Sequence, residues 1–189
     1  MMQTMQRMMM LAALCGSLAA PAWAQAQMAG TGTAVAAPAD LYNKMLSAEE
    51  KEIVSLADAM PADKYGYAPT SGEFKGVRTF GEQVKHITEA NYGFFAAWDV
   101  PGIKNSSDID KLTNKDEIMA ALRGSFTFAH AAMSKITADN AFTPMGANGG
   151  TRAGTATRAL AHMMDHYGQL VVYLRLNGMV PPASQKPSR

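Results

Sequence analysis

The 189-residue chain contains one cysteine, Cys15, and no long apolar run outside its first segment. That cysteine lies in "MMQTMQRMMMLAALCGSLAAPAWAQAQ", a stretch with the three parts of a secretory signal peptide. Arg7 supplies the charged start, Met8 to Ala20 the apolar stretch, and Ala22-Trp23-Ala24 the small-residue cleavage pattern. Cleavage is expected after Ala24, with Ala26 as the alternative, so residues 1–24 are read as a leader. The apolar stretch falls short of the roughly 20 residues that span a bilayer. Leu14 stands before Cys15 where a lipoprotein signal takes Gly or Ala, which argues against a lipid anchor. The expectation is an exported protein, periplasmic or extracellular, without stable membrane insertion. Once the leader is removed the chain has no disulfide, no thiolate ligand and no cysteine nucleophile. Core packing alone must hold it together.

A charge of one sign is also missing. Without Arg7 the 17 basic residues become 16, against 16 acidic ones. No basic block follows a phosphate backbone, and the aromatics are not interleaved with Lys or Arg, so nucleic acid is not an expected partner. About 165 residues fit one domain with a real core. Residues 25–39, "QAQMAGTGTAVAAPA", are small, uncharged and aperiodic, and read as a flexible tether. No run alternates with period two for long enough to be a strand.

Four segments instead show the three-and-four spacing of amphipathic helices. In the first, Tyr42, Leu46, Ile53, Leu56 and Met60 share a stripe, with Asp40 as N-cap and Pro61 as the stop. Glu49 falls in the same stripe, an anomaly for an inward face. The second begins at "TFGE", where Thr79 and Glu82 have capping-box spacing, and runs through Phe80, Val84, Ile87, Phe94 and Trp98 to Pro101. The third starts with Thr113 and Asp116 and continues through Met119, Leu122, Phe126, Ala129, Met133 and Ile136. The fourth runs from about Thr155 through Leu160, Met163, Tyr167, Leu170 and Leu174 to Gly178, with Pro181 beyond. The predicted fold is an all-α four-helix bundle over residues 40–183, followed by a tail at 184–189. Its connections, 61–78, 99–113 and 138–154, are long enough for a crossover.

Only four histidines are present, and two of them, His162 and His166, stand four apart in the last segment. Four helical residues turn about 400°, so both imidazoles leave one face about 6 Å apart along the axis and can grip one ion. Steps of three and four from His162 reach His166, Gln169 and Tyr173, a polar stripe where a solvated face would carry Lys and Glu. A zincin site is excluded because Met163, not Glu, follows His162. Di-iron bundles need paired ExxH motifs and several carboxylates, and covalent haem needs CxxCH. A third ligand would make such a site more convincing, and the two remaining histidines, His86 and His130, are each at the edge of a buried stripe, so that periodicity does not choose between them.

The stretches "MPADKYGYAPT", "RTFGEQVKHITEANYGFF" and "HMMDHYGQLVVYLRLNGMVPP" together resemble the DinB/YfiT-like superfamily of metal-dependent four-helix bundles. The resemblance covers most of residues 40–183. It implies that His86, His162 and His166 bind a divalent metal, commonly zinc or nickel, and it assigns no ligand role to His130. Tyr167 is a departure, since related chains often carry Arg before the Gly-Gln pair. Thiol transfer to electrophiles is the activity the resemblance implies, and homodimers are among the assemblies it admits.

Three neutral imidazoles leave at least one coordination position open, unlike a closed structural zinc site. A water there is acidified and a thiol deprotonated, so either becomes a nucleophile without a protein cysteine. Metal-assisted hydrolysis would need a base, and Glu89 and Asp165, one turn beyond His86 and His162 respectively, are the candidates. Gln169 and Tyr173 are candidates to orient the ligands. A small-molecule substrate is the expected partner of either activity. A periplasmic metal-binding or stress-associated module without turnover is the reading from another class. "GANGGTRAG" lacks the GKS or GKT of a phosphate loop and reads as a long connection, with a lid as the alternative.

Overall fold

A computed structural model describes residues 36–186. The leader and most of the tether lie outside the described residues. Helix α1 spans Pro38–Ala59, α2 Phe80–Phe94, α3 Ser106–Asp110, α4 Lys115–Met133 and α5 Arg152–Leu176. There is no strand among the described residues, only an isolated bridge between Met145 and Gly150. No described helix is long and apolar enough to cross a membrane.

Three of the four predicted helix starts differ from expectation, by one to three residues, and that of the second does not. Helix α1 begins at Pro38, whose fixed φ suits a first turn, so Ala37 is the N-cap and Asp40 an acid favourably placed in that turn. It ends where Met60, before Pro61, turns extended. The capping box of α2 is present: the Glu82 N–H donates to Thr79 Oγ1 at 3.3 Å, and the Thr79 N–H to Glu82 Oε2 at 2.7 Å. Helix α2 is shorter than expected, however. It closes at Phe94, a 3-10 turn over Ala96–Trp98 carries Trp98, and Asp99 goes left-handed with φ 53° before Pro101. Asn114 rather than Thr113 caps α4, accepting from the Glu117 N–H at 2.9 Å. Thr151 caps α5 one turn before the expected start, accepting from the Gly154 N–H at 3.0 Å. At its other end Gly178, φ 75°, lets the Met179 N–H reach the Leu174 carbonyl and the Gly178 N–H that of Arg175.

The four long helices pack in a ring, α1 against α4, α4 against α2, α2 against α5, and α5 against α1. Side-chain pairs fix the directions. Tyr42 meets Ala153 and Thr157, and Tyr167 meets Glu52, so α1 and α5 are parallel. Asn43 meets Ser134, and Lys115 meets Asp58, so α4 opposes α1. Gln83 meets Gln169, and Phe94 meets His162, so α2 opposes α5. The order is up, down, down, up, with consecutive helices α1 and α2 on a diagonal. The connection before α2 therefore crosses one end of the bundle, and the one before α5 crosses the other. The connection between the parallel helices α2 and α4 must run lengthwise, about 22 Å for the 15 residues of α2. The unpredicted α3 lies in it, held along α2 by Lys85 Nζ, which donates to the Asp110 and Leu112 carbonyls at 2.7 and 3.3 Å.

Phe80, Ile87, Phe126, Leu122, Leu56 and Met163 fill the centre, all but fully buried. Two polar groups on the α1 side matter for stability. His130 bridges α4 to α1, its Nδ1 2.7 Å from Asn43 Oδ1 and its Nε2 3.1 Å from Glu50 Oε2. Asn43 Nδ2 donates to Ser134 Oγ, which donates to the His130 carbonyl, so the Asn43 carboxamide can only offer its oxygen to the ring. His130 is thus a structural clamp. Replacing His130 by Ala should lower stability by about 1 kcal/mol in urea unfolding while leaving metal content unchanged. Loss of metal in that variant would give His130 a part in the site.

Glu49, the acid in the inward stripe, has a buried Oε2 with no hydrogen-bond partner. Burial first, then the neighbouring Glu52 charge, pushes its carboxyl up to about 7. The folded state therefore holds a proton the unfolded chain loses near pH 4.5, so this stabilisation is complete below that pH and disappears as pH rises through about 7. Glu49→Gln should match wild type at pH 4.5 and exceed it by roughly 1 kcal/mol at pH 8. Equal stabilities at both pH values would show that Glu49 is hydrated.

Candidate metal centre

The antiparallel pairing of α2 with α5 brings three imidazoles together. The i, i+4 spacing puts His162 and His166 on one face of α5, with ring centroids 4.4 Å apart. His86, near the middle of α2, faces both, 5.2 Å from His162 and 4.7 Å from His166. One nitrogen from each ring lies within 4.8 Å of the other two, close enough to share one ion. The rings meet edge-on rather than stacked, as converging ligands do. His130 lies on the α1 side of α4, away from this group, so of the two candidates for third member it is His86 that joins the pair.

His166 is 6% exposed, and the other two rings are half-buried. Burial is the largest cause holding all three below the ordinary imidazole range, and His166 drops to about 4. Neighbouring His162 and His86 also lower His166, the Asp165 carboxylate raises it, and the Arg78 guanidinium lowers all three. At neutral pH the rings are therefore uncharged. His162 Nε2 and His166 Nδ1 are buried and have no hydrogen-bond partner. An unpaired buried ring nitrogen is costly, and two side by side need a group that the protein does not supply. A borderline divalent ion with a preference for imidazole fits that need. Phe94 closes one side, its ring centroid 5.4 Å from that of His162, and the Arg158 guanidinium lies 5.9 Å from the Phe94 centroid.

The other singled-out residues occupy distinct places. Gln169 does not reach the rings but links Asp165 to Gln83, donating to Asp165 Oδ2 at 3.3 Å and accepting from Gln83 Nε2. Tyr173 Oη donates to the Arg78 carbonyl at 2.9 Å and so anchors the turn before α2. Glu89 lines a polar cleft of about 570 Å³ with His86, Arg78, Glu82, Lys85 and Asp110. Its carboxyl is raised, first by burial and then by Asp110. A larger cleft of about 730 Å³ adjoins it, walled by Phe74, Val77, Val172, Tyr173, Gln83 and Gln169, and both clefts share Gly76, Val77 and Arg78. The "GANGGTRAG" stretch lines neither cleft, in keeping with an ordinary connection.

Three residues escaped sequence reasoning. Gln83 is three before His86 and thus on its face, a signal that was available. Arg78 and Asp110 lie in connections, where no periodicity marks them.

Fold and site together define a four-helix bundle of up-down-down-up order with a histidine cluster on one seam. The chain belongs to the DinB superfamily, whose family profile matches residues 45–170. A crystal structure of a DinB-like protein from Bacillus cereus has the same fold, with a TM-score of 0.61 over 76% of this chain and 95% of that one, at 18% identity. Comparison with curated proteins finds no match.

The electrostatics can be measured directly. In the metal-free protein, NMR titration should find His166 neutral down to about pH 4, with His86 and His162 also protonating below 6.5. Since the folded state resists protons that the unfolded chain accepts, stability from these groups is complete above 6.5 and falls as pH drops towards 4. Ordinary titration of all three near 6.5 would mean the rings are open to water.

Proposed function

We propose that this chain is an exported metal-dependent enzyme of the DinB superfamily that holds one zinc or nickel ion through His86, His162 and His166. The reading rests on one observation above the others: buried nitrogens of His162 and His166 have no partner beside a third imidazole that opens onto a cleft. A divalent ion bound by neutral donors supplies Lewis acidity, with coordination positions left for a thiol or a water as nucleophile. The chain's own groups then position and protonate. Asp165 sets the polarity of the Gln169–Gln83 link, Phe94 excludes water from one side, and Glu89, whose proton affinity is raised first by burial and then by Asp110, is placed to hold or release a proton in the polar cleft.

Thiol transfer to an electrophile is the first reading of the reaction. Hydrolysis is the second, and Glu89 beside His86 is the observation that favours it. A non-catalytic metal-binding module is the outcome if metal binds and neither reaction proceeds.

Elemental analysis of the full chain, purified without chelator or tag histidines, should find about one equivalent of a transition metal. The His86→Ala, His162→Ala, His166→Ala triple variant should hold none while remaining helical. A wild type that takes up neither zinc nor nickel when both are offered would end the metal reading. With metal bound, metal-dependent consumption of a small thiol by an electrophile supports transfer. Ester cleavage lost in Glu89→Gln supports hydrolysis.

A further inference from the structure

We propose that the larger cleft takes a small carboxylate with an apolar body and an adjacent N–H or O–H donor, and that Arg78 recognises the carboxylate. Its placement beside a reacting centre rests on the metal reading above. At about 730 Å³ the cleft is in the range of small-molecule sites, and Phe74, Val77, Val172 and Tyr173 give it an apolar wall. Arg78 belongs to this cleft and to the polar one that reaches His86. A molecule lying on the apolar wall and extending towards His86 passes the guanidinium.

Arg78 is held at its backbone and free at its charge. Tyr173 Oη grips its carbonyl, and the next residue, Thr79, is the N-cap of α2. The side chain is exposed and has no hydrogen bond or ion pair among the described residues. Glu82, the acid one turn on, is turned back to the cap, accepting from the Thr79 N–H at 2.7 Å and Oγ1 at 3.0 Å. Yet the Arg78 charge is felt at all three histidines. Its charge also reaches the Glu82 and Glu89 carboxyls of the polar cleft, but neither bonds the guanidinium, so its paired donors stay open to an anionic group next to the centre.

A second group points the same way. Gln83 is 2% exposed and forms part of the cleft wall, and its Oε1 has no donor. Its orientation follows from charge. The Asp165 carboxylate takes the Gln169 amide, so Gln169 offers its oxygen to Gln83 Nε2, and Gln83 Oε1 is left over. A ligand N–H or O–H would satisfy it. One guanidinium matches a monoanionic carboxylate rather than a phosphate dianion. Lys85, the other cation at the polar cleft, already donates to the Asp110 and Leu112 carbonyls.

The test uses three probes on the zinc-loaded full chain in calorimetric titrations: N-benzoylglycine, its neutral primary amide, and 3-benzoylpropanoate, which has CH2 in place of the N–H. Wild type should bind the first about ten-fold or more tightly than either of the others. Arg78→Gln should bring N-benzoylglycine down to the level of its amide, with the amide affinity and the zinc content unchanged. Gln83→Leu should abolish the preference for N–H over CH2. Equal binding of acid and amide by wild type, binding of none of the probes, or an acid preference that survives Arg78→Gln would overturn the proposal, the last by placing the carboxylate on the metal. A chain that takes up no zinc but still loses its acid preference with Arg78→Gln would retain this proposal and lose the metal reading.

Discussion

The antiparallel contact between α2 and α5 is the constraint on which the site depends. Run along it, Gln83 faces Gln169, His86 faces His166 and His162, and Phe94 closes against His162. Reversing either helix would move His86 away from the pair while leaving its apolar neighbours a core to fill. A seam of leucines would hold two helices together more cheaply, because burying an imidazole forfeits hydration at both ring nitrogens. Here three are buried or half-buried together, and His162 lowers the proton affinity of both His86 and His166, as His86 does that of His166. Such a cluster persists when a ligand common to all three offsets the loss.

The opposite side of the bundle gives the internal comparison. His130 is also half-buried at a seam between two long helices, yet each of its nitrogens has a side-chain partner in Asn43 or Glu50. That is how a histidine serves packing. At the α2/α5 seam the helices supply no such partners to His162 Nε2 and His166 Nδ1, although Asp165 is near enough for its charge to be felt by both rings. The difference is in the surroundings rather than the residue, and it separates a histidine whose nitrogens are taken up by packing from one whose nitrogen is left open to a ligand, without reference to any relative.

Much of this was legible in the chain. Four long helices follow from apolar spacing, since a stripe of Leu46, Ile53 and Leu56 has no other stable use in water. The Thr79–Glu82 box was legible because its two bonds join residues three apart. The helix starts at Pro38, Asn114 and Thr151 were not, since several nearby residues can cap and tertiary packing selects among them. Five-residue α3 is too short for a period to register. The choice of His86 over His130 came from resemblance, because each lies at the edge of a buried stripe and only the pairing of helices separates them. Arg78 and Asp110 were invisible for a different reason: Arg78 lies on the connection that crosses the bundle end between the diagonal α1 and α2, and Asp110 ends the short α3 in the lengthwise connection to α4.

That diagonal also explains why there is a cleft at all. In a simple meander, α1 and α2 would be neighbours joined by a short turn, and the histidine seam would open directly to solvent. With α1 and α2 across from one another, residues 60–79 must cross the end of the bundle before entering α2 through its cap. The path carries Phe74, Val77 and Arg78 to the walls beside the seam, and Tyr173 on α5 fastens it there. The histidine cluster and the loop that walls the clefts thus fall on different parts of the chain. The imidazoles stand on rigid helices whose register cannot shift without unpacking the core, whereas Phe74, Val77 and Arg78 of the cleft wall lie on a connection. A loop tolerates substitution better than a packed helix, so residues 74–78 can change without disturbing the helix register that holds the three histidines together.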